Sequence, residues 1–254
     1  MKGSLIVAGL GPGGPSLVTP EVATALAGAS DVVGYFPYVA RVPPRPGLAL
    51  HPSDNRAELE RASLALRLAH EGRHVVVVSS GDPGVFAMAS AVFEAMEAGP
   101  AQWRNLDVRV LPGITAMLAA AARAGAPLGH DFCAINLSDN LKPWPLIERR
   151  LRLAAEADFA LALYNPRSAS RPHGFARALA VLRETCGEAR PVIFARAVSS
   201  ADEALRVTRL GDAAPEMADM RTLVIVGSST TRVIATDGSP WVYTPRTASL
   251  APGE

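Results

Sequence analysis

Val75-Val76-Val77-Val78-Ser79-Ser80-Gly81-Asp82-Pro83-Gly84 couples an unusually apolar, β-branched run to a glycine-proline corner. Such a run reads as a strand, and the glycines and proline that follow it read as its end. The same pairing occurs twice more. Leu5-Ile6-Val7 runs into Gly9-Leu10-Gly11-Pro12-Gly13, and Val108-Arg109-Val110-Leu111 runs into Pro112-Gly113-Ile114-Thr115-Ala116. Strand ends that finish in glycine expose backbone N–H and C=O groups without side-chain obstruction. Ligands of α/β sheets collect outside those carboxyl ends. One small-molecule site built from three corners is therefore expected.

Working outward, strand patterns at Leu5 to Ala8, Asp31 to Gly34, Val75 to Ser79 and Val108 to Leu111 alternate with helical patterns at Pro20 to Ala27, Arg56 to Glu71 and Val85 to Ala98. This is repeated β-α-β. Asp54-Asn55 supplies a start for the second helix and Gly72 a stop. An alanine-rich helix over Ala116 to Ala124 leads into the breaker cluster Gly125-Ala126-Pro127-Leu128-Gly129. The pattern change divides the chain into an N-terminal α/β domain over 1–114 and a C-terminal α/β domain over 115–254. In the second domain strands are expected at Phe132 to Asn136, Phe159 to Tyr164, Val192 to Val198, Leu205 to Leu210 and Leu223 to Gly227. Helices are expected at Pro143 to Ala157 and Gly174 to Cys186. The last three of those strands have little helix between them, so part of that sheet should be antiparallel. The tail from Asp237 through Trp241, Pro245 and Pro252 reads as an extended arm.

A chain of 254 residues, 49% hydrophobic, can bury a large core, and its net charge of +1 argues against a nucleic-acid binder. Only Lys2 and Lys142 of the 25 Lys plus Arg residues are lysines, so the positive charge is nearly all guanidinium. Composition bias explains this, and so does carboxylate recognition by the planar Arg fork. Cys133 and Cys186 form neither a metal-ligand spacing nor a disulfide framework, and His51, His70, His74, His130 and His173 form no ligand-spaced cluster with them. No bound metal is expected. The chain runs straight into a strand pattern at Ser4, and no apolar stretch reaches spanning length, so a soluble, cytoplasmic protein without membrane contact is expected.

Gly9, Gly11 and Gly14 satisfy G-x-G-x-x-G, and Asp31 lies about 20 residues further on, as a dinucleotide fingerprint asks. Pro12 removes an N–H from that turn, and Pro15 and Pro20 delay the helix whose N-terminus should meet a pyrophosphate. Nicotinamide binding is set aside on that ground.

In this order and spacing the three corners resemble the tetrapyrrole methylase family, and the likeness continues to Leu223-Val224-Ile225-Val226-Gly227. Four further segments are similar to the branch that methylates C17 of the macrocycle: Gly34-Tyr35-Phe36-Pro37-Tyr38, Gly129 to Ile135, Leu137-Ser138-Asp139 with Pro143-Trp144, and Leu163-Tyr164-Asn165-Pro166-Arg167-Ser168. Ala87, Asn136 and the stretch Ala197 to Ser200, where relatives usually carry glycine, depart from the pattern. The resemblance implies two α/β domains, S-adenosylmethionine in the cleft between them, and a homodimer. It places the cofactor against Ser80, Gly81, Asp82, Val85, Phe86, Thr115 and Ala116, and against Tyr164, Asn165, Ala195, Arg196, Ala197, Thr222 and Leu223. It assigns the Gly11-Pro12-Gly13 loop to the substrate, a tetrapyrrole rich in acetate and propionate groups. Tyr35 and Tyr38 would flank the macrocycle and Arg167 and Arg196 would clamp its carboxylates, although both arginines also have an ordinary salt-bridge reading. The implied chemistry is methyl transfer to a ring carbon with ring contraction, for which Asp139, Asp82 and His130 are the candidate proton acceptors. A metal-free and a cobalt-bearing substrate both remain open. So does a non-catalytic S-adenosylmethionine binder of the same fold.

Overall fold

The computed structural model describes residues 3–54 and 57–247. Asn55 of the expected helix start, Arg56 of the expected helix and Pro252 of the expected arm lie outside the described residues. The chain forms two compact units, Met1–Ala116 and Met117–Glu254.

The first unit contains β1 (Ser4–Gly9), α1 (Pro20–Gly28), β2 (Asp31–Tyr35), α2 (Phe36–Val39), β3 (Ala49–Ser53), α3 (Glu58–His70), β4 (His74–Ser79), α4 (Met88–Ala98) and β5 (Asp107–Leu111). Its sheet runs β3-β2-β4-β1-β5, and every pair in it is parallel. The valine run is central because each face of it meets a different core. Val75 and Val77 pack with Leu5, Val7 and the α3 and α4 residues Leu66 and Val92, while Val76 and Val78 pack with Ile6, Ala8 and Val22 of α1. A strand buried on both faces has no polar side to alternate with. Right-handed crossovers then place α1 on one face and α3 and α4 on the other. The chain leaves β1 in one direction and β4 in the other, so these adjacent strands form the switch point at which open sheets bind ligands.

Three details differ from the sequence expectation. β3 was not foreseen: its sequence Ala49-Leu50-His51-Pro52-Ser53 is tolerated because it is the outermost strand, where Pro52 removes no ladder hydrogen bond from the sheet interior. The short helix α2 follows Tyr35 in a segment for which no helix was predicted. Helix α4 starts at Met88 and not at Val85, because Phe86 takes a left-handed φ of 52° that no helix accommodates.

At the amino edge Asp31, 1% exposed in its side chain, accepts hydrogen bonds from Arg73 Nε at 2.7 Å, His51 Nε2 at 2.9 Å and Ser30 Oγ at 2.7 Å. Burial pushes its carboxyl up, but the hydrogen bonds from Arg73, His51 and Ser30 outweigh burial and hold it below the ordinary value. Asp31 thus sits at the strand end opposite the glycine corners and is committed to Arg73, which removes it as a ribose ligand. A carboxyl whose folded pKa is depressed contributes stability that is present above about pH 4 and is lost as pH falls through the folded value. We expect Asp31→Asn to cost about 2 kcal/mol at pH 7. Urea unfolding between pH 7 and pH 3 should show the gap between the two proteins closing as the wild-type carboxyl protonates. A gap that stays constant with pH would show that charge is not what Asp31 contributes.

The second unit contains α5 (Ala116–Ala124, beginning at the last residue of the first unit), β6 (Gly125–Ala126), β7 (Phe132–Asn136), α6 (Trp144–Glu156), β8 (Ala160–Tyr164), α7 (Gly174–Cys186), β9 (Pro191–Arg196), β10 (Ala204–Arg209), β11 (Thr222–Val226), β12 (Arg232–Ile234) and β13 (Trp241–Tyr243). Its main sheet runs β10-β9-β11-β8-β7. Only the β7–β8 pair is parallel, so the antiparallel portion falls where the missing helices predicted it. Leu151 of α6, Phe175 and Leu179 of α7, and Leu161, Leu163, Phe194 and Val224 of the strands fill its core. The segment through Trp241 is not an extended arm: β13 pairs antiparallel with β12 and parallel with β6 in a second, three-stranded sheet. The side chain of Thr244 fixes it further, donating to the Pro127 carbonyl at 2.6 Å.

Candidate functional site

At the switch point the first two corners are stitched together through backbone. Leu10 N–H donates to Ser79 O at 2.8 Å, Gly11 N–H to Gly81 O at 3.2 Å, and Gly81 N–H to Gly11 O at 3.0 Å. Gly11 and Gly81 take φ of 67° and 62°, the left-handed region where a Cβ is costly. The third corner is pressed against the other two. A Cβ on Gly113 would lie 2.2 Å from Gly81 O and 2.9 Å from Gly9 Cα, whereas a Cβ on Gly81 would make ordinary contact with Thr115 Cα at 3.5 Å. Asp82 spans two corners: Oδ1 accepts from Gly84 N–H at 2.8 Å and Oδ2 from Gly113 N–H at 3.0 Å. Both carboxylate oxygens therefore serve loop geometry.

The aromatic corner adjoins this edge. The rings of Tyr35 and Tyr38 meet edge to face with centroids 5.3 Å apart, and the Ser80 side chain is near enough to the Tyr38 hydroxyl to favour its ionised form. Burial pushes the Tyr38 phenol up, and neighbouring Tyr35 adds to that. Beneath the corner Arg61, 3% exposed, donates from Nε to Ser53 Oγ at 2.8 Å and from Nη2 to the Asp54 carbonyl at 2.5 Å. Phe86 stands 48% exposed beyond Asp82. Gly11, Pro12, Gly13, Tyr35, Tyr38, Ser80, Gly81, Asp82, Val85, Phe86, Thr115 and Ala116 thus all belong to one edge of the first unit.

In the second unit the expected residues also share one edge of a sheet. Register places Asn136 beside Tyr164, and Ala195 and Arg196 beside Leu223 and Thr222. Tyr164 Oη accepts from Met117 N–H at 3.1 Å in the first turn of α5. Asn165, at φ 52°, donates from Nδ2 to Asn136 Oδ1 at 3.0 Å, and that oxygen also accepts from Ser138 N–H at 2.9 Å. One amide oxygen therefore fixes both Asn165 and the loop carrying Asp139. Asp139 is exposed, and α6 begins with no side-chain cap, so Asp139 does not cap that helix. Ala197 and Ser199 take φ of 49° and 64°, which explains why glycine suits this turn.

Two expected residues stand differently. Arg196 Nε is taken by Asp219 Oδ2 at 2.7 Å, and Asp202 lies 3.6 Å from its Nη1. Burial pushes the Asp219 carboxyl up, but the Thr222 hydroxyl and Arg196 outweigh burial and hold it down. Arg196 is thus a brace for the Asp219–Thr222 turn, the salt-bridge alternative. His130 precedes β7, so it lies at the opposite edge of the sheet from Asn136, Tyr164 and Asp139, the length of a strand or about 16 Å away. Its Nδ1 sits 3.6 Å from Asp131. Arg167, half-buried in the loop after β8, makes no hydrogen bond or ion pair among the described residues. Sequence reasoning missed Arg41, Asn136 as an acceptor, and Asp219. Each acts through a long-range contact with backbone or side chain that no local spacing marks. Among the described residues no three His, Cys, Asp or Glu side chains gather as a metal site, and no helix is long and apolar enough to cross a membrane.

A doubly wound parallel unit with a glycine-lined switch point, followed in the chain by a mixed-sheet unit with its own loop-rich edge, defines an α/β scaffold for small-molecule transfer chemistry. The chain belongs to the Tetrapyrrole (Corrin/Porphyrin) Methylases, whose pattern matches residues 4–214. It is 55% identical over 247 residues to a Sinorhizobium protein named precorrin-3B C(17)-methyltransferase, covering 97% of each chain. It is 42% identical over 230 residues to a Salmonella typhimurium protein named probable cobalt-factor III C(17)-methyltransferase, covering 90% of this chain and 94% of that one. A crystal structure of the methyltransferase CobJ superposes with a TM-score of 0.91 at 65% identity, covering 96% of this chain and all of that one.

Proposed function

We propose that this protein transfers a methyl group from S-adenosylmethionine to C17 of precorrin-3B with contraction of the macrocycle to precorrin-4, a step of cobalamin biosynthesis, acting as a cytoplasmic homodimer. The observation that carries the reading is the 55% identity that spans 97% of both chains. The site is compatible with it. S-adenosylmethionine has no phosphate, so its binding calls for backbone hydrogen bonds and apolar walls instead of an anion cradle. Gly81, without a Cβ, beside Thr115 and Ala116, together with exposed Phe86 and with Val85, supplies that character.

The cofactor contributes an activated methyl on a good leaving group. This chain's residues then have to align carbon with carbon and keep water out, which by itself removes a large part of a bimolecular barrier. In the reading, the cofactor is held by Ser80, Gly81, Val85, Phe86, Thr115 and Ala116, and the resemblance adds Tyr164, Asn165, Ala195, Ala197, Thr222 and Leu223. The Gly11-Pro12-Gly13 loop, Tyr35, Tyr38 and Arg167 hold the substrate. In the contraction a tertiary alcohol loses its proton and becomes a carbonyl as a ring C–C bond migrates from that carbon to its neighbour, where the lactone C–O bond breaks and its oxygen leaves as a carboxylate. Asp139, exposed and without a hydrogen bond or ion pair among the described residues, takes the hydroxyl proton.

The test is incubation with methyl-labelled S-adenosylmethionine and precorrin-3B. The expected result is label in the tetrapyrrole with the mass gain of one methyl group. Transfer only to cobalt-loaded substrate would move the assignment to the cobalt-bearing reaction, and no transfer to either would leave a binder without turnover.

A further inference from the structure

Arg41 follows α2 and turns back beneath the first corner. Its Nη2 donates to the Leu10 carbonyl at 2.5 Å and the Gly13 carbonyl at 2.7 Å, and its Nη1 to the Gly11 carbonyl at 3.1 Å. Three carbonyls of a five-residue glycine-proline stretch thus converge on one guanidinium. Among the described residues no carboxylate forms an ion pair with it, and the Tyr38 phenol lies near enough to feel its charge. Carbonyl dipoles satisfy the N–H donors but leave the unit charge in place. A half-buried cation is also screened less by salt than a surface one.

Arg45 offers a comparison inside the same unit. Its Nη2 donates to the carbonyls of Leu26, Ala27 and Ala29 at 2.9, 2.8 and 2.7 Å, the same chemistry at the C-terminus of α1 and at the opposite edge of the sheet. A guanidinium on carbonyls is therefore a structural device of this fold. What sets Arg41 apart is the loop it holds, at the switch point beside Tyr38.

We propose that Arg41 is the positioning residue of the Gly11-Pro12-Gly13 loop and that its unneutralised charge selects substrates rich in carboxylates. The inference rests on the proposed reading, in which that loop faces the tetrapyrrole. A planar fork sets three carbonyl directions at once, which a lysine ammonium, a compact point charge, does not reproduce. Charge and geometry are therefore separable by substitution.

Spectroscopic titration with uroporphyrin, an octacarboxylate, and coproporphyrin, a tetracarboxylate, reads the charge. The wild type should prefer uroporphyrin, with a preference that shrinks as salt is raised. Arg41→Met should reduce that preference about tenfold. Arg41→Lys should keep the preference yet lower kcat/KM for methyl transfer about tenfold, because the loop is no longer held. Arg45→Met should lower Tm while leaving the preference intact. Retention of the wild-type preference in Arg41→Met, or its equal loss in Arg45→Met, overturns the proposal. Should Arg41→Met fail to fold, Arg41→Lys decides: wild-type kcat/KM in that variant removes the positioning role, and a wild-type preference indifferent to salt removes the charge role. A wild type that binds S-adenosylhomocysteine but neither porphyrin brings down the tetrapyrrole reading itself, and the role of Arg41 with it. A porphyrin-binding wild type with an indifferent Arg41 brings down only the latter.

Discussion

Gly113→Ala will destabilise the first unit by about 3 kcal/mol or more and lower Tm by about 10 °C. The methyl group would be placed 2.2 Å from Gly81 O and 2.9 Å from Gly9 C, and both neighbours are backbone at the ends of β4 and β1. A flexible side chain could rotate away. These atoms cannot, because Gly81 is tied to Gly11 by a reciprocal pair of hydrogen bonds and Gly9 lies in the ladder with Ser79. Relief requires the third corner to withdraw, and that breaks the bond from Gly113 N–H to Asp82. Gly28→Ala is the matching control, since nothing lies within 4 Å of its added Cβ and α1 is already helical there; it should be neutral or stabilising by up to about 1 kcal/mol. Thermal unfolding of the three proteins checks this, and a Gly113→Ala midpoint within about 2 °C of wild type would mean that the corners are not in backbone contact.

The same contacts explain how far the sequence could be read. Val75 to Val78 announced a central strand because burial on both faces leaves a continuous apolar run, and the corners announced themselves because only glycine permits backbone to approach backbone so closely. β6, β12 and β13 have two or three residues each, too few for a period of two to register, and the β6–β13 pairing joins residues more than a hundred positions apart. The arginine excess was legible as a count and not as a role. Composition suggested surface cover or carboxylate recognition, whereas Arg41, Arg45 and Arg183 each gather several backbone carbonyls of loops and helix ends. The resemblance put Asp139 ahead of His130 as proton acceptor without placing either in space. Only the direction of β7 separates them, by putting one before the strand and the other after it.

Asp82→Asn should raise the Kd for S-adenosylhomocysteine about 30-fold, because its carboxylate is a strut between two loops. As a carboxylate it offers Oδ1 to Gly84 N–H and Oδ2 to Gly113 N–H. As an amide it must point an NH₂ at one of those donors, so one N–H loses its acceptor and faces repulsion as well. The loop that loses its strut carries either Gly84, Val85 and Phe86, or Gly113, Ile114 and Thr115. Both flank the proposed cofactor position, and the left-handed Phe86 is held against its own backbone preference. Asp82→Ala removes both acceptors and should weaken binding at least as much. A proton-transfer role for Asp82 makes the opposite forecast: the amide would abolish turnover and leave S-adenosylhomocysteine affinity at the wild-type value. Calorimetric titration of the folded variant therefore separates the two roles without any tetrapyrrole. If affinity falls while the variant still turns over at saturating cofactor, Asp82 positions the loops and the proton acceptor has to be sought elsewhere, with Asp139 first in line.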